Sequence, residues 1–272
     1  MTLLTEAHAR ELAVLAGGFL RDTAHLFDGA VLVEPTAEFF PDEVSPSAEA
    51  VALLFGRVCS YTPLPEDTPY TFAFIEPEAS GGGACGTGAC ATPGSSGQSD
   101  DVTVAVRQGA EYILPINVQC AGKAEGLMAT LSRHSGSLVY ALADTQAPSA
   151  SLAETSEVLA SLSGLGLLLL IGSHVYCKGC STVRFDRYTA LSPAELAWFT
   201  ALFLQLHHLP PTKARKHLSG TTRELFDEAV KWFEDRPDLC ADFRARPGDI
   251  AAGSGDFSPR AKGFLAKLWG AA

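Results

Sequence analysis

Apolar residues recur at helical spacing over residues 5–27, where Leu12, Leu15, Phe19 and Leu20 share a face and Thr5 stands as a cap before Glu6. A short strand is expected at residues 30–34. Ser45-Pro46 then opens a second predicted helix running to about Cys59, with Ala48, Val51, Leu54, Phe55 and Val58 on one side and Pro46 in its first turn. Residues 70–75 and 102–106 read as two strands of one sheet. Between them, residues 78–101 are rich in Gly, Ser and Ala and too poor in large apolar groups to pack alone, so they read as a flexible loop or a clamp. From about residue 123 the pattern turns helical, with helices expected at 124–143, 151–175, 193–207 and 221–233. A small N-terminal sheet with helices, followed by a mainly helical half, predicts one α+β domain over residues 1–272, with 236–272 as a C-terminal extension.

Composition narrows the partners. The chain of 272 residues is 47% hydrophobic, enough for a full core, and its net charge of −11 argues against a nucleic-acid or anionic-lipid partner. The local basic cluster Lys213, Arg215, Lys216 and His217 reads as a solvated helix face. Glu6, His8, Arg10 and Glu11 interrupt the N-terminal segment, so no secretory leader is expected. Residues 158–171 form the longest apolar run, which contains Ser161, Ser163, Gly164 and Gly166 and falls short of the roughly 20 residues of a bilayer span. A cytoplasmic protein is therefore expected. The odd count of 7 cysteines favours reduced thiols or a metal site over a disulfide framework.

Five dispersed segments carry a resemblance. They are Pro35-Thr36-Ala37-Glu38-Phe39-Phe40-Pro41-Asp42, Leu54-Phe55-Gly56-Arg57-Val58-Cys59, Met128-Ala129-Thr130-Leu131, Ser163-Gly164-Leu165-Gly166 and Ala190-Leu191-Ser192-Pro193. Together they resemble an uncharacterised bacterial family of zincin-like proteins, over about residues 30 to 235. The resemblance implies that the helix after Met128 should bear His-Glu-x-x-His, two imidazoles holding zinc and a glutamate activating water. Arg133, His134, Ser135, Gly136 and Ser137 stand there instead. Neither Arg133 nor Ser137 replaces a ligand, and His134 occupies the general-base position.

The resemblance further implies an acidic third ligand at Glu157, with Glu154 one turn earlier. A carboxylate beside a guanidinium forms an ion pair, so Arg133 is expected to substitute its charge for the metal's and pair with Glu157 across two helices. Gly136, costly inside a helix, points to close helix packing or a local break. The expectation is a pseudo-metallopeptidase acting as a binding or accessory protein, without a cofactor. Its ligand cleft would comprise Arg133, His134, Ser137, Glu154 and Glu157, and its partner would be an unknown protein or peptide-like ligand.

The cysteines offer an alternative. Cys85 and Cys90, with Cys177 and Cys180, could form a four-thiolate zinc site, structural or in a metalloenzyme, with His174 a candidate to join it; free thiols, or a redox dithiol at Cys177 and Cys180, remain open. His174 and the His207-His208 pair also read as helix-end residues favoured by the dipole. Neither a phosphate-binding loop nor a Gly-x-Ser-x-Gly elbow is present in the sequence.

Overall fold

The computed structural model describes residues 4–42, 47–76, 103–118, 122–143, 150–178 and 183–259. It is an α+β chain, mostly helical, with two small sheets. Helix α1 spans Glu6–Thr23, and the Thr5 hydroxyl caps it by accepting from the His8 N–H at 3.2 Å. Its buried stripe includes Leu12, Ala16, Phe19 and Leu20, as the spacing predicts, and a 3-10 turn, Ala24–Phe27, closes it. The expected strand at 30–34 is not one. Among the described residues it pairs with no strand, and the Val33 N–H donates to the Gly164 carbonyl at 3.0 Å.

Helix α2, Ala48–Cys59, starts later than predicted because Ser47 is its cap, accepting from the Ala50 N–H at 3.2 Å; Pro46 lies outside the described residues. Strand β1 is Tyr70–Ile75, as expected. β2 is Val106–Gln108, shifted from the predicted 102–106, and β3, Glu111–Asn117, was not predicted. β3 is central, parallel to β1 (Tyr70 opposite Tyr112) and antiparallel to β2 (Val106 opposite Ile113). Pro115 conceals it in the sequence, since proline removes a ladder donor. β2 pairs only with residues 111–113, so Pro115 lies beyond that ladder.

Helix α3, Ala124–Leu142, and helix α4, Leu152–Ala160, follow. The helix predicted over 151–175 breaks after α4 into a π turn, Ser161–Leu165, and α5, Gly166–Gly172. Gly164 has φ 96°, and a Cβ there would lie 2.0 Å from the Val31 carbonyl oxygen, so the passing 31–33 segment and the break require each other. The stretch Leu152–Gly172 is apolar and long enough to cross a membrane, yet 94% of its apolar 18-residue window is buried inside the protein. A hairpin, β4 Val175–Lys178 and β5 Val183–Asp186, replaces the predicted end of that helix.

Helix α6, Pro193–Leu206, runs through the core, with Trp198, Phe199, Leu202 and Phe203 each 1% exposed or less. Its start is fixed by Pro193 and by a capping box between Ser192 and Glu195. After α7, Thr212–Arg215, comes α8, Gly220–Glu234, whose Phe233 ring lies 4.9 Å from that of Trp198. The basic cluster is only partly the solvated face expected. Arg215 pairs with Asp227 at 2.6 Å, while Lys216 and His217 both reach Glu34, at 2.6 and 2.9 Å.

Residues 236–257 are not an extension. Helices α9, Pro237–Ala245, and α10, Pro247–Ala251, bury Leu239, Cys240, Phe243 and Ile250, and α10 seats directly on Gly17 of α1. Their apolar positions are too few per helix to announce a core role in the sequence.

Candidate functional site

Helices α3 and α4 cross where Gly136 meets Ser156. A Cβ on Gly136 would lie 1.9 Å from the Ser156 carbonyl oxygen, so only glycine admits this approach. One turn away, Arg133 of α3 and Glu157 of α4 meet: Nη1 donates to Oε1 at 3.0 Å, with the two side chains 1% and 0% exposed. Arg133 also donates from Nε to the Thr103 carbonyl at 2.7 Å and from Nη1 to the Tyr188 carbonyl at 2.7 Å. Glu157 accepts from the Ala190 N–H at 2.9 Å and from the Leu191 N–H at 2.8 Å. Burial pushes the Glu157 carboxyl upward; Arg133 and both backbone donors oppose it, since each favours the ionised form.

His134 faces the sheet. Its Nε2 lies 2.8 Å from the Pro115 carbonyl oxygen, which also accepts from the Thr103 hydroxyl at 2.8 Å. Burial, reinforced by the Arg133 charge, pushes His134 down to about 3, so the ring is neutral at neutral pH. A neutral ring that donates from Nε2 leaves Nδ1 as the acceptor, and that atom is buried without a partner. Ser137 Oγ sits 2.8 Å from Ser156 Oγ and bonds back to the Arg133 carbonyl at 3.2 Å.

The expected cleft is corrected here. Arg133, His134, Ser137 and Glu157 are all buried, packed by α3, α4, β3 and the 188–191 segment, and leave no open floor between them. Glu154 does not join them. It closes the capping box of α4, accepting from the Ser151 N–H at 2.9 Å, and is half-buried on a different groove. An apolar cavity of about 1010 Å³ lies farther along α3, against Phe40, Val51, Leu54, Phe74, Leu127 and Met128. Two of the resemblance segments meet beside it, where Arg57 forms a two-pronged bond to Asp42 at 2.9 and 3.3 Å that holds the Asp42 carboxyl below its usual range.

The buried pair does not fit a metal ion. A divalent cation at Glu157 would meet the fixed charge of Arg133, and both Glu157 oxygens already accept N–H donors. Among the described residues no cluster of three or more His, Cys, Asp or Glu could hold a metal. Cys85, Cys90 and Cys180 lie outside the described residues; Cys177 has its backbone in β4, and its side chain lies outside them too. His174 precedes β4 and is not a helix-end residue; its ring stacks on Phe185 at 4.3 Å, and burial lowers its pKa. His207 does end α6, packed on Phe203 at 4.4 Å.

The pairing of Arg133 with Glu157 follows the sequence expectation, whereas its backbone partners do not appear in it. Carbonyls of Thr103 and Tyr188 and N–H groups of Ala190 and Leu191 are chemically anonymous in a sequence. The Ala190-Leu191-Ser192-Pro193 segment was the available signal, for it folds onto Glu157 before Ser192 caps α6. Comparison with known protein families, with curated proteins and with solved structures finds no match.

Proposed function

We propose that this protein is a metallopeptidase-like scaffold without peptidase chemistry, acting as a binding or accessory protein for a protein or peptide-like partner. The observation that carries the reading is the buried Arg133–Glu157 pair, a guanidinium of permanent charge lying where the zincin resemblance would have a metal facing its acidic ligand. Its neighbours favour the same view. His134, at the general-base position, is buried against the Pro115 carbonyl, and Ser137, at a ligand position, is spent on Ser156 and the Arg133 carbonyl.

Hydrolysis also needs a path for substrate to the reacting groups. With Arg133 and His134 at 1% and 0% exposure, none leads to this cluster among the described residues, so partner binding would use the surface of the scaffold.

The test is direct. Purified protein is assayed against a mixed-sequence peptide library with and without added zinc. The proposal expects no cleavage in either case and no dependence of melting temperature on zinc at the α3–α4 crossing, read by isotope-labelled arginine shifts of Arg133. Zinc-dependent cleavage that is lost in Glu157→Gln would overturn it.

A further inference from the structure

Phe257 is fixed in place near the end of the described chain. Its ring centroid lies 5.4 Å from the Arg10 guanidinium, and its carbonyl accepts from Arg236 Nε at 2.9 Å. It walls a groove of about 640 Å³ bounded by α1 and by the N-terminal turns of α4 and α6. Leu12, Leu15 and Leu191 supply its apolar floor. Glu11, Glu154 and Glu195 supply an acidic rim; His8 also lines the groove and bridges Glu11 and Glu195 at 3.0 and 2.9 Å, and Glu154 and Glu195 are held by their own capping boxes. Arg10, the rim's guanidinium, is directed to Glu6 and to the Phe257 ring.

The sequence continues past Pro259 with a segment of complementary chemistry. Residues 260–272 carry Arg260, Lys262 and Lys267 and no acidic residue. Phe264, Leu265, Leu268 and Trp269 recur at the spacing that gathers side chains on one helical face. Such an amphipathic stretch suits an apolar surface with acidic edges, and Phe257 of the groove lies three positions before it.

We propose that residues 260–272 dock in the groove walled by Phe257, with Phe264, Leu265, Leu268 and Trp269 on the leucine floor and Lys262 and Lys267 at the acidic rim. As a helix the segment reaches about 20 Å at 1.5 Å per residue, enough to lie along α1. Covalent connection supplies an effective concentration on the order of millimolar, which favours this occupant over the same segment of a second copy. The proposal is independent of the Arg133–Glu157 reading.

Zero-length carbodiimide coupling of the full chain, mapped by mass spectrometry, tests it. Amide links from Lys262 or Lys267 to Glu11 or Glu154 are expected, and in a mixture of ¹⁴N and ¹⁵N chains each link joins peptides of one isotope. The full-chain variant Phe264→Asp should lose the links and show about tenfold faster amide exchange along residues 12–15. Links of mixed isotope would assign the groove to a second copy, and absent links with unchanged exchange in Phe264→Asp would leave it open; either result overturns the proposal.

Discussion

Gly136 and Ser156 are in backbone contact across α3 and α4, so near that a Cβ on the glycine would lie 1.9 Å from the serine carbonyl oxygen. That approach brings Arg133 within reach of Glu157. Gly136→Ala must therefore spread the helices, although alanine is the better helix former by about 1 kcal/mol. The substitution should destabilise the protein by about 3 kcal/mol, as overpacking of a core does, measured by urea denaturation. A change within about 0.5 kcal/mol would mean that the crossing is looser than described.

The buried pair should show strong coupling. Arg133→Met leaves the Glu157 carboxylate without its cation, and Glu157→Gln leaves the guanidinium without its anion, so either alone should cost about 3–5 kcal/mol. The double variant still orphans the Thr103 and Tyr188 carbonyls, so it will not return to wild-type stability. It should nevertheless lie at least about 1.5 kcal/mol above the sum of the single losses in a double-mutant cycle. Additive losses would reduce the contact to two independent packing roles.

His134 sets a pH dependence whose sign is fixed by its burial. Its folded pKa is about 3, below the ordinary 6.5, so the unfolded chain binds a proton there that the folded chain refuses. The stabilisation is complete above pH 6.5 and is lost as pH falls toward 3, at up to about 1.4 kcal/mol per pH unit. Denaturation of wild type and His134→Gln at several pH values between 4 and 7 reads this slope. The variant should lose about one proton's worth of it, and parallel curves would reject the assignment.

His8 behaves in the opposite sense. Burial lowers its pKa, but the Glu11 and Glu195 carboxylates at 3.0 and 2.9 Å outweigh that and raise it. Its contribution is whole below pH 6.5 and fades as pH rises through the folded value. His8→Gln should therefore weaken stability more at pH 6 than at pH 9, a difference small enough to need paired melts because the side chain is 39% exposed.

Chelation separates the two expectations about metal. Melting temperature should be the same with and without a strong chelator, within about 1 °C. A drop of several degrees, with protected thiols becoming titratable, would instead place a metal on Cys85, Cys90, Cys177 and Cys180.

The parts of this fold legible in the sequence are those with long periodic patterns. Stripes such as Leu12-Ala16-Phe19 and Val51-Leu54-Val58 identify their helices because burial repeats along them. The helical pattern placed α6 to within a residue, and the structure fixes its start through Ser192, Pro193 and Glu195. Strand β3 was hidden by Pro115, and the β4–β5 hairpin by the apolar run that precedes it. The break at Gly164 depends on Val31, distant in sequence, so no local pattern could reveal it. At the site, the resemblance set Arg133 against Glu157 and their opposite charges predicted the pair, yet burial of the whole cluster, which replaces the expected cleft, follows from how the 188–191 segment and residue 103 close over it.

Arg133 is a cation synthesised with the chain. A core organised around a dissolved ion exists in empty and filled forms, can be loaded with the wrong element, and gains or loses stability with the ion's concentration. The charge of Arg133 needs no loading, because the side chain carries it permanently. Under the proposed function, folding and charge compensation are a single event, and the crossing of α3 and α4 is expected to be indifferent to metal scarcity or excess.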